Sequence, residues 1–131
     1  MTPREQMADP EATLKSLRSA LSDFNADYAQ WWQYNVSHKY FMLRLYLSPP
    51  SEWLMIATIG TDHLSGPTHW NQPKFDISVE PHPKCKGQNV WRVNDATGGF
   101  SMTCSVLYWG RNVGWNDDSM WFSSHADPSG T

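Results

Sequence analysis

"YFMLRLYL", residues 40–47, repeats with a period of two: Phe41, Leu43, Leu45 and Leu47 are apolar, while Tyr40, Met42, Arg44 and Tyr46 are amphipathic. A half-buried β-strand has this pattern, with the odd side chains turned toward a core. The even ones are too aromatic to be ordinary solvent cover, so the sheet built on this strand is expected to have two unlike faces. The flanking sequence decides what presses on the first face and what is left on the second.

Upstream, Asp9, Pro10 and Glu11 read as a helix start: a capping carboxylate, a proline whose missing N–H costs nothing at the first helical position, and an acid in the first turn. Leu14, Leu17, Leu21, Phe24, Tyr28 and Trp31 then recur at spacings of three and four, with Lys15, Arg18, Ser22 and Asp23 outside the stripe. The spacing predicts an amphipathic helix over about residues 10–33, packed on the sheet, with Trp32 off the stripe and residues 1–8 a flexible end.

Downstream, Ser48, Pro49, Pro50 and Ser51 close the strand of residues 39–47, and residues 53–59 of "EWLMIATIG" are apolar on both faces, as in an interior strand. The two should pair as a hairpin. Residues 74–80 alternate Phe75, Ile77 and Val79 against Lys74, Asp76, Ser78 and Glu80, and Pro81 and Pro83 end that run. Residues 89–93 and 100–109 flank "NDATGG", a turn of residues that tolerate positive φ, so a second hairpin follows, with Phe100, Met102, Cys104, Val106 and Tyr108 on one side. Residues 119–122 read as a short edge strand and 124–131 as a flexible tail. The sum is an α+β fold in a single domain, residues 1–131: an N-terminal amphipathic helix packed on a curved antiparallel sheet of five or six strands.

A chain of 131 residues can bury a full core without a metal or disulfide staple. The formal charge of −3 gives no electrostatic reason to seek nucleic acid or an anionic membrane, and neither partner is expected. No run approaches the roughly 18 apolar residues of a membrane span, and the N-terminus has no apolar signal region. The expected compartment is therefore the cytoplasm, with Cys85 and Cys104 as thiols. No phosphate-binding glycine motif is present, and no cofactor is expected.

Candidate chemistry lies mostly in loops. "GTDHLSGPTHW", residues 60–70, sets His63 and His69 around a Gly66-Pro67 break, a surface corner without the short ligand pair of a structural zinc site. "HPKC" brings His82 near Cys85, whose lysine neighbours Lys84 and Lys86 favour thiolate, while Cys104 shares the parity of core residues. Spacing alone leaves open whether His63, His69, His82 and Cys85 converge; no metal site is assigned. Asp117 and Asp118 read as a turn, their role undecided. Asp76 and Glu80 lie roughly 13 Å apart on one strand, too far for a glycosidase pair, and suit cross-strand pairing with Arg44 and Arg92.

With eight Trp, five Tyr and five Phe, the chain has enough rings to fill a core and still line a surface. The residues expected to form that surface are Tyr40, Arg44, Tyr46, Asp76, Trp91 and Arg92, with His63, His69, Trp70 and Trp115 as candidate ligand contacts. The expectation is a non-catalytic binding module for a protein partner, in an adaptor, inhibitor or immunity-type role. The alternatives are a small-ligand or carbohydrate site built on tryptophan stacking and loop histidines, a small metal- or thiol-dependent enzyme, or tryptophans (Trp53, Trp91, Trp109) that merely cap the sheet. An exposed sheet edge makes a homodimer the default assembly.

Overall fold

The computed structural model describes residues 2–36, 39–46, 52–116 and 121–123. The arrangement is α+β, with N-terminal helices on antiparallel sheets. The first helix, α1 (Pro3–Ala8), occupies the segment expected to be a flexible end. A capping box nucleates it: Thr2 Oγ1 accepts the Glu5 N–H at 3.1 Å, and Glu5 Oε1 accepts the Thr2 N–H at 2.8 Å. Asp9 starts α2 (Pro10–Phe24) as anticipated, its carboxylate accepting the Ala12 N–H at 3.1 Å.

The second helix stops at Phe24 rather than near residue 33. Asn25 takes the left-handed conformation (φ 49°) and donates its N–H to the Leu21 carbonyl at 3.3 Å, a helix stop that asparagine makes at low cost. Residues from Tyr28 onward form a strand, β1 (Tyr28–Asn35), whose aromatic side chains lose rotamer freedom in a helix and fit a pleated surface better. The three-residue spacing of Tyr28 and Trp31 put them on one helical stripe; in a strand the same odd spacing sends them to opposite faces.

The single sheet expected from the sequence is two. One has five strands, ordered β5 (His69–Asn71), β1, β2 (Tyr40–Tyr46), β3 (Trp53–Ile59) and β9 (Val106–Arg111). The other has four, ordered β4 (His63–Ser65), β8 (Phe100–Cys104), β7 (Asn89–Asp95) and β6 (Asp76–Pro81). A separate pair joins β10 (Gly114–Asn116) to β11 (Trp121–Ser123); the latter overlaps the expected edge strand, of which residues 119–120 lie outside the described residues. Both anticipated hairpins form: β2 with β3, from Phe41↔Thr58 to Tyr46↔Trp53, and β7 with β8, from Trp91↔Cys104 to Asp95↔Phe100.

The strand expected over residues 100–109 breaks at Ser105, where the chain leaves one sheet for the other. Ser105 N–H bonds the Ile59 carbonyl at 3.2 Å, and Gly60 (φ 68°) lies so close that a Cβ there would meet Ser105 Oγ at 2.8 Å. The break resets the alternation. Phe100, Met102 and Cys104 enter the main core, but so does Leu107, and Tyr108 belongs to a second cluster. The histidine stretch is the other crossover: it is two short strands, one in each sheet, rather than one surface loop.

Both sheets and α2 enclose the main core, which joins Leu14, Leu17 and Phe24 of α2 to Phe41, Leu43, Leu45, Leu54 and Ile56 of the large sheet and Ile77, Trp91, Val93 and Met102 of the small one. The parity read from residues 40–47 holds there, and Leu47 lies outside the described residues. A buried carboxylate pins the far end: Asp95 accepts from Trp70 Nε1 (2.7 Å), Lys74 N–H (3.0 Å) and Gly98 N–H (3.0 Å). Among the described residues no helix is long and apolar enough to cross a membrane.

Candidate functional site

Each sheet gives one face to the core and has an outer face, and the two outer faces differ in kind. On the four-stranded sheet the outward row Ser78, Arg92, Thr103 and His63 runs across all four strands, with Asp76 exposed beside it. Arg92 forms an ion pair with Glu80 across β6 and β7, the cross-strand pairing anticipated for it. Arg44 does not join this group: it lies on β2 of the other sheet, so the expected single face holding Arg44, Asp76 and Arg92 is divided between the two sheets.

The outer face of the five-stranded sheet centres on Arg44. Register sets Gln30, Arg44 and Met55 abreast, next to the row Tyr28, Tyr46 and Trp53. The Arg44 guanidinium carbon lies 4.1 Å from the Trp32 ring centroid and 4.5 Å from that of Trp53, with the Tyr46 ring at 6.0 Å. Both indoles meet the cation at cation–π distance. Alternation turns Trp32 away from the core, and a β-bulge between Trp31 and Gln33 keeps Gln33 on that side as well, while Trp31 packs edge-on against Phe41 at 5.3 Å.

Burial lowers the Arg44 pKa, with the Tyr46 phenol opposing the shift, but a guanidinium starts so high that it stays charged. Its Nε is shielded from solvent and has no hydrogen-bond partner among the described residues. Burial raises the Tyr46 pKa, helped by Tyr28 and opposed by Arg44, so the phenol keeps its proton and donates to Gln30 Oε1 at 3.1 Å. Tyr28 continues the aromatic row, 5.1 Å from Tyr46 and 6.0 Å from His69 by ring centroids. Behind this rim, Met42, Met55, Ala57 and Tyr108 are buried, with Met7, Trp53 and Val113 packed on them. Tyr40 is half-buried on the same face.

Other candidates fall elsewhere. Trp91 is only 2% exposed and Trp70 only 8%, both within the core, so neither offers a ring face for stacking. The reason is parity: each alternates with Val93 or pairs with Ala29, which point inward. The backbone of Trp115 lies on β10, and its side chain, like Asp117 and Asp118, is outside the described residues. His69 is exposed, with Nδ1 3.2 Å from Thr68 Oγ1; His63 is exposed on the polar face.

His82 turns Nδ1 to the N–H groups of Lys84 and Cys85, each at 2.9 Å, which commits that nitrogen to the turn. Cys85 is an exposed free thiol; burial holds the Cys104 thiol well above its ordinary pKa, as suits a core residue. Among the described residues no three His, Cys, Asp or Glu side chains gather where one ion could bind. A cleft of about 390 Å³ opens between α1, β7 and β9, where the neutral polar residues Gln88, Asn89 and Ser105 share the lining with Met7, Trp91 and Leu107.

Sequence reasoning missed Trp32 and Trp53 as the walls around Arg44. A period-two reading of residues 28–35 would have shown Trp32 on the same side as Arg44. No family model, curated protein or solved structure matches the chain.

Proposed function

We propose that the chain is a non-catalytic protein-recognition module of the cytoplasm that grips its partner with the outer face of the five-stranded sheet. The observation that carries this reading is Arg44 held between Trp32 and Trp53, with no carboxylate paired to it among the described residues and with Trp32 47% exposed. Guanidinium groups usually lose rotamer freedom when they bind; one already clamped by two rings has lost it in advance. Tryptophan, tyrosine and arginine are also the residue types that dominate the energy of protein interfaces.

In this reading a carboxylate or carbonyl of the partner accepts from Arg44, while Trp32 and Tyr46 bury against it. Asp76 and Arg92, on the other sheet, are surface residues without a part in the grip. The test is affinity capture from an extract of cells that naturally make the chain. A protein retained by the wild type should be lost with Arg44→Ala and with Trp32→Ala, each by about tenfold or more in affinity, and kept with Glu80→Ala. Equal retention by all four chains would refute the assignment.

A further inference from the structure

Where the chain crosses from one sheet to the other, a ladder stops short. β7 and β8 pair as far as Trp91↔Cys104, and the same register would next set Asn89 opposite Val106. Val106 instead lies opposite Ile59 in the five-stranded sheet, because the chain turns away at Ser105. Among the described residues no strand pairs with Asn89 on that side, and the gap is the cleft of about 390 Å³, which Asn89 and Val106 both line.

Alternation along each strand fixes which backbone groups face this gap. The Gln88 carbonyl accepts the His82 N–H at 2.8 Å, on the β6 side, so the N–H and C=O of Asn89 point the other way, toward the gap. On the opposite wall, Trp109 turns its own pair to the free edge of β9, where the Gln6 side chain meets it: Oε1 accepts the Trp109 N–H at 2.9 Å, and Nε2 donates to the Trp109 carbonyl at 2.8 Å. Leu107, two residues earlier, has the same orientation and lines the cleft, as does Gln6. Each such pair offers one donor and one acceptor side by side. Gln6 shows what satisfies it: a carboxamide, which carries both complementary groups.

No residue lining the cleft is charged, and Met7, Trp91 and Val106 give it apolar surface beside Gln88 and Ser105. A charged ligand would lose its hydration there without meeting an opposite charge, whereas an uncharged one with an apolar body and one polar edge would not. We infer that this cleft binds a small uncharged carboxamide or lactam, which repeats at Asn89 or Leu107 the contact that Gln6 makes at Trp109. The backbone pair sets the orientation of the ligand, and the apolar walls take its ring or chain. The site is independent of the recognition reading above, because it uses none of Arg44, Trp32 and Tyr46.

Amide chemical-shift NMR of the whole wild-type chain, titrated with δ-valerolactam, tests it without relying on any variant to fold. Saturable shifts should centre on the Asn89 and Leu107 amides, with a dissociation constant in the millimolar range that suits so small a ligand. N-methyl-δ-valerolactam keeps the ring and the oxygen but has no N–H to donate, and it should bind more weakly by about threefold or more. Piperidinium, a ring of the same size with a charge and no carbonyl, should give no saturable shift at either amide. Absence of saturable shifts with δ-valerolactam, shifts centred elsewhere, or equal binding by either of the other two compounds overturns the proposal.

Discussion

The outer faces of the two sheets come from the same period-two grammar, yet one carries serine, threonine and an exposed ion pair while the other carries buried methionines and a cation between two indoles. A sheet face that only has to meet water is satisfied by the first composition. The second removes apolar surface from solvent on the side opposite the main core, and it keeps a charge there against the cost of burial. The difference separates a face that meets water from a face that carries a second apolar cluster.

That contrast can be broken most severely at its base. Tyr108→Ala, which empties a fully buried site under the aromatic face, should destabilise the protein by about 3–5 kcal/mol. Thr103→Ala on the polar face should stay within about 0.5 kcal/mol. Comparable losses in thermal melts of the two variants would mean the faces are not different after all.

Arg44→Ala should act the other way round, removing partner capture while changing stability by only about 1 kcal/mol, the scale of a partly exposed cation–π contact. Alkali should sharpen the comparison further. Burial raises the pKa of Tyr46 and Tyr108 above the ordinary phenol value of 10.0 and that of Cys104 above the thiol value of 9.0. The stability these groups contribute is present below those values, where both folded and unfolded chains hold the protons, and falls as pH rises because the unfolded chain releases them first. Melting temperature should therefore drop through that range, and Tyr108→Phe should drop less than wild type. Smallest of all, Glu80→Ala or Arg92→Ala should cost under about 1 kcal/mol, since the pair is solvent-exposed, and salt should reduce even that.

Much of this was legible in the sequence. The alternation of residues 40–47, the Asp9 cap and the "NDATGG" turn each state a local preference that the fold keeps. The helix end at Asn25 and the break at Ser105 were harder to read, because a stripe spaced by threes and fours and an alternating strand can each run on past a turn without a proline to stop them. The capping box at Thr2 and Glu5 was readable and passed over. The site itself was half visible: Arg44 and Tyr46 follow from parity, whereas Trp32 needed the strand assignment, and Trp91 and Trp70 were sent inward by a second sheet that no local pattern announces.

Recognition by the aromatic face is the proposal on which the rest depends. A photo-crosslinking amino acid at Tyr46, compared with one at Ser78 on the polar face, tests it within cells that naturally make the chain. Discrete adducts to another protein from position 46, abolished by adding Arg44→Ala and absent from position 78, are the expected result. Adducts from position 78 alone, or from both positions alike, would contradict it.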